Sequence, residues 1–156
     1  MKHLISLCLL ILINLSCSSN NNHDEAIKIY DESMRIHDAL MPRMDDLFSL
    51  RQHLNHRIDS LKSDSVANIV VVNEMRDAAE ALKRADEAMM DWMHNTQGVP
   101  GSDTGSEHGH HGKHQPSPTT EAEVIKVQQD QLAAIKKIQT DTEEAVRKAR
   151  QMLGMK

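Results

Sequence analysis

Cysteine, aromatic residues and glycine are all scarce in this 156-residue chain, and each shortage narrows what it can be. The two cysteines, Cys8 and Cys17, both sit near the start, so the body of the chain has no thiol for a disulfide or for thiolate catalysis. One tyrosine, one phenylalanine and one tryptophan (Tyr30, Phe48 and Trp92) argue against a sheet domain, which draws on aromatic and β-branched residues. Glycine is nearly confined to residues 98 to 112, so little else interrupts regular backbone. Basic residues number 18 against 23 acidic ones, a net charge of -5, which argues against a nucleic-acid partner, since phosphate binding normally shows as a basic stripe. No nucleophile motif and no glycine-rich phosphate loop is present, so an enzyme is not expected.

What is present begins with a leader. Met1-Lys2-His3 is a short basic lead, Leu4 to Ile13 is almost wholly apolar, and Cys17 follows Asn14-Leu15-Ser16. The apolar run is too short to span a bilayer comfortably and gives way to polar chain, as an export signal does. Its form resembles a bacterial lipoprotein signal, cut before a cysteine that receives the lipid, although Asn14 stands where leucine is usual. We therefore expect residues 1–16 to be a signal peptide, Cys17 to carry lipid, and residues 17–23 to form a polar tether. Plain secretion and an uncleaved anchor are the alternatives. Cell-envelope attachment follows, with the periplasmic face of the outer membrane as the working location and surface exposure left open.

Beyond the tether, apolar residues recur at three- and four-residue steps. Ile27, Tyr30, Met34, His37, Met41, Met44 and Phe48 mark one stripe, and Leu47, Leu50, Leu54, Ile58 and Leu61 an overlapping one. This is helix periodicity carried through Pro42, which cannot donate to the carbonyl of Asp38 and so predicts a kink, with a break and restart as the alternative. Asn22 or Asp24 would cap this first helix, and Ser63-Asp64-Ser65 the turn into a second. The second helix shows a seam of Val71, Met75, Ala78, Leu82, Ala85, Met89 and Trp92.

From Gln97 the chain turns rich in glycine, proline and polar residues, the composition of a flexible connection. A third helix starts near Thr119 or Thr120 with Glu121 and Glu123 in its first turn. It buries Ile125, Gln128 or Gln129, Leu132, Ile135, Gln139, Thr142, Val146, Ala149 and Leu153, and stops at Gly154. The expected fold is all-α: an antiparallel three-helix bundle with a long flexible loop between helices two and three. Its parts are a helical hairpin over 24–96, a His-rich loop over 97–119 and a third helix over 120–156. A longer coiled coil that self-associates is the competing fold.

Folding the hairpin about Asp64 pairs positions whose numbers sum to about 128, which brings His37 near residue 91. Met34, His37, Met41, Met89, Met90, Met93 and His94 then gather at one end, with Trp92 among them. Thioether and imidazole donors favour a soft ion such as Cu(I), which Trp92 could cover. Plain core packing is the competing use, since methionine fills irregular helical cores. Haem ligation by His37 and a methionine is disfavoured by the lack of aromatics. Asp38, Glu87 and Asp91 are expected close to His37, as solvated helix-face acids. A second donor group, His108, His110, His111 and His114, lies in the flexible connection and could take Cu(II), Ni(II) or Zn(II), or remain a solvated pH-dependent loop.

Ile36-His37-Asp38, Met41-Pro42-Arg43-Met44 and the later Met89-Met90-Asp91-Trp92-Met93, together with the leader, resemble small lipoproteins of Bacteroidota. Some of these carry a label that mentions a viral A-type inclusion protein repeat, which reflects generic coiled-coil similarity and implies no viral function. The resemblance covers most of the chain, has no secure activity attached and implies no catalytic or binding residues. The His-rich loop is an embellishment of the shared pattern. Two functions are therefore expected to compete: a non-enzymatic envelope lipoprotein that binds a protein partner, itself or a neighbour structurally, and a protein that binds and buffers copper or another soft or borderline metal.

Overall fold

The computed structural model describes residues 19–62, 69–105 and 118–155. Helix α1 spans Ser19–Leu40, α2 Met44–Lys62, α3 Ile69–Asn95 and α4 Glu121–Leu153. A single 3-10 turn, Met41–Arg43, joins α1 to α2, so the two form one bent rod and the fold is an all-α bundle of three rods. Cys17, the turn about Asp64 and the His108 to His114 cluster lie outside the described residues.

Pro42 explains the bend. Leu40 and Met44 keep right-handed helical dihedrals on either side, and the Met44 N–H bonds to the Met41 carbonyl. The missing proline donor is thus absorbed by one turn of tighter i→i+3 bonding, between the simple kink and the full break. The bend changes the rod's neighbour: α1 packs chiefly on α4, while α2 packs chiefly on α3. Asn22 donates to Glu121 at 3.2 Å, and further along Arg43 pairs with Glu143 and Arg150 with Asp46, so the first rod and α4 run parallel. The hairpin between α2 and α3 makes α3 antiparallel to both.

The core lies in three layers along the axis. At the closed end Leu47, Leu50, Leu54 and Ile58 meet Val72, Met75, Leu82 and the small Ala78, Ala79, Ala145 and Ala149, which let the helices approach. In the middle Ile36 and Leu40 meet Met89, Trp92, Ile135 and Ile138. At the far end Ala26, Tyr30 and Val99 pack with Ile27, Val124 and Ile125.

Several sequence expectations are corrected. The segment read as a tether is helical from Ser19, so Asn22 and Asp24 lie inside α1 and do not cap it. Met41 and Phe48 are exposed, and Ile36 and Leu40 take the buried face instead. Val71 is also exposed and Val72 is the buried member of its apolar run. The connection expected to be flexible from Gln97 is docked on the bundle at its start, from Gln97 to Val99. Val99 is buried there, and the Gln97 carbonyl accepts from Gln128 Nε2 and Gln131 Nε2, each at 3.1 Å. Thr120 caps α4 with Glu123 in a reciprocal capping box, and Gly154 ends it at φ 68°.

Candidate functional site

The middle layer brings part of the Met/His group together. His37 stacks on Trp92 with ring centroids 5.6 Å apart and planes 25° from parallel. The pairing numbers sum to 129, one residue from the hairpin expectation. Trp92 also donates its Nε1–H to the Gln131 carbonyl of α4 at 3.0 Å, so one indole touches all three rods. His37 Nδ1 lies 3.0 Å from Asp38 Oδ1, a hydrogen bond that the Nδ1–H tautomer donates and the carboxylate accepts. His37 remains 14% exposed at its side chain, and Asp38 is well exposed.

Methionines divide by burial. Met34 and Met93 are half-buried and pack against the layer that holds Trp92. Met89 is 0% exposed and wholly committed to the core. Met41 at 39% and Met90 at 47% face solvent. His94 is exposed too, and its Nδ1 is turned back onto the Met90 carbonyl of its own helix at 2.7 Å. The expected seven-residue cluster is therefore smaller: His37 lies on Trp92, Met34 and Met93 pack on the layer that holds Trp92, Met41 is exposed, and Met89, Met90 and His94 do other things. Of the neighbouring acids, Asp38 bonds to His37, Glu87 pairs with Lys83 at 3.5 Å and Asp91 faces solvent. Among the described residues no group of three or more His, Cys, Asp or Glu side chains could hold a metal ion.

Beside Trp92 an open groove of about 500 Å3 runs between α3 and α4. Trp92 and Ile138 are its buried walls, and the small Ala88 and Ala134 leave the space. Asp91 and Asp130 stand exposed along it, the latter paired with Lys126. Sequence reasoning did not identify this groove or Gln131. The available signal was the pairing of alanines on two facing helices beside a tryptophan.

Among the described residues charge is perturbed at three places. Burial, with Asp31 and Asp38 adding to it, raises Tyr30 above the usual tyrosine value. Hydrogen bonds from Thr119 and Thr120 hold Glu123 below the usual carboxylate range. The Arg35 guanidinium does the same for Glu32. None of the three adjoins the groove: Tyr30 lies in the far-end core layer, Glu123 in the first turn of α4 and Glu32 on the surface of α1. No described helix is long and apolar enough to cross a membrane. No family model, curated protein or solved structure matches the chain.

Proposed function

We propose that the chain is a non-enzymatic envelope lipoprotein, tethered through lipid on Cys17 and directed into the periplasm from the outer membrane, whose bundle holds a protein partner. The groove over Trp92 carries this reading. An amphipathic helix is the partner segment that fits it, because its apolar stripe would cover Trp92, Ala88 and Ala134 while a basic flank meets Asp91. The leader and the single cysteine after it support the anchoring.

Two measurements test the reading. Lipid labelling of the chain in its own cells should require Cys17 and vanish in Cys17→Ala. A photo-crosslinker placed at Ala134 should yield one discrete adduct, lost when Ala88→Arg fills the groove. The same probe at the exposed Gln52 of α2 should give none. An adduct common to both positions, or none at Ala134, overturns the partner assignment.

A further inference from the structure

His37 is held more firmly than packing alone requires. Its Nδ1 lies 3.0 Å from Asp38 Oδ1, a contact that favours the Nδ1–H tautomer, in which the neutral ring has its lone pair on Nε2. Trp92 stacks on the same ring, so the imidazole plane is set from two directions. A carboxylate behind a histidine is the arrangement that orients a metal-ligating imidazole and raises its basicity. The middle layer that holds Trp92 is bordered by sulfur: Met34 lies one turn before His37 on α1, and Met93 follows Trp92 on α3. Both methionines are half-buried against the layer containing Trp92, and Met41, one turn after His37, is exposed at the edge.

We propose that His37 Nε2 and the thioethers of Met34 and Met93 form a site for a soft monovalent ion, Cu(I), where α1 meets α3 at the His37–Trp92 contact. Asp38 is its positioning residue and Met41 the thioether at its solvent side. The donor set decides the class of ion. Thioether and imidazole suit Cu(I), whereas calcium and magnesium need oxygen ligands, and here the nearest carboxylate is engaged with Nδ1. Partial exposure of His37 gives the ion a way in, which the fully buried Met89 lacks. The site is independent of the partner-binding reading, because the groove opens between α3 and α4 and uses none of these donors.

The test titrates the full chain with Cu(I) anaerobically against bicinchoninate while following the emission of Trp92, the only tryptophan. Cys8→Ser and Cys17→Ser remove competing thiols. A single equivalent should leave the chelator, with Trp92 quenched in step. His37→Phe keeps a ring against the indole and removes both nitrogens, so it should abolish the quenching with the helical circular dichroism unchanged. Asp38→Asn should weaken binding by about 10–100-fold. Met34→Leu with Met93→Leu, which nearly conserves volume, should also lose tight uptake. Replacing His108, His110, His111 and His114 by serine should leave the quenching intact. Quenching that survives His37→Phe or the double leucine variant, quenching lost only with the serine replacements, or no competitive uptake by the starting chain each overturns the proposal.

Discussion

The His37 imidazole lies on the face of the Trp92 indole, with 5.6 Å between ring centroids, while the indole N–H reaches the Gln131 carbonyl on α4. That one contact set ties α1, α3 and α4 together at mid-height. Trp92→Phe keeps an aromatic face for His37 but loses the hydrogen bond, a loss worth about 0.5–1.5 kcal/mol in addition to the missing ring area. Trp92→Ala should cost about 3–5 kcal/mol. Urea unfolding followed by circular dichroism separates the two.

Met89 and Met90 are adjacent in sequence and opposite in environment. Met89→Ala should cost about 2–5 kcal/mol, because it opens a cavity in the middle layer. Met90→Ala should stay within roughly 0.5 kcal/mol of the parent, since its side chain is largely solvated. Equal costs in chemical denaturation would mean that α3 is rotated from the orientation described.

Thr142 occupies α4 between the middle and closed-end layers, fully buried, and its hydroxyl has no hydrogen-bond partner among the described residues. Burying such a group without a partner costs on the order of 1–3 kcal/mol, whereas a methyl group of the same shape costs nothing in desolvation. Thr142→Val should therefore stabilise the bundle by about 1 kcal/mol or more, read as a higher Tm. A lower Tm would reveal a partner for the hydroxyl.

Tyr30 is the only tyrosine, so its ionisation can be followed directly by absorbance. Burial places its folded-state pKa above the ordinary 10.0, with Asp31 and Asp38 adding to the shift. The neutral phenol is thus favoured by folding, and this stability is fully present below the unfolded pKa and lost as pH rises through the folded one. The midpoint should fall to the ordinary value in denaturant, and Tyr30→Phe should flatten the alkaline loss of stability. An unshifted midpoint in the native chain would place the phenol in water.

Glu123 carries the opposite sign. Hydrogen bonds from Thr119 and Thr120 lower its folded-state pKa, so the capping box contributes above the unfolded carboxylate value and is lost as pH falls through the folded one. Amide exchange in the first turn of α4 should accelerate on acidification, and Glu123→Ala should remove most of that pH dependence. Acid exchange that is the same in both chains would count against the cap.

Much of the frame could be read in advance because its signals are local. The capping pair Thr120 and Glu123 and the stop at Gly154 depend only on a few neighbouring residues. The level at which His37 meets Trp92 follows from hairpin length. The buried choice within Ile69-Val70-Val71-Val72 could not be read, because four consecutive apolar residues offer any helical phase and only contact with α2 selects Val72. Met41 and Phe48 looked interior for a similar reason. Their stripe continues through Pro42 in sequence, but the bend changes which neighbour the rod faces.

The amino-acid sequence by itself determined that this is a helical chain, where its rods run and which chemical groups are available, since periodicity, caps and composition act over a turn or two. Tertiary structure alone decided which methionines pack on the layer that holds Trp92, that Gln97 docks onto Gln128 and Gln131, and that a groove opens beside Trp92. These depend on the rotation of each rod about its axis and on its bend. Both are set by the fit of side chains from distant parts of the chain, which no local pattern encodes.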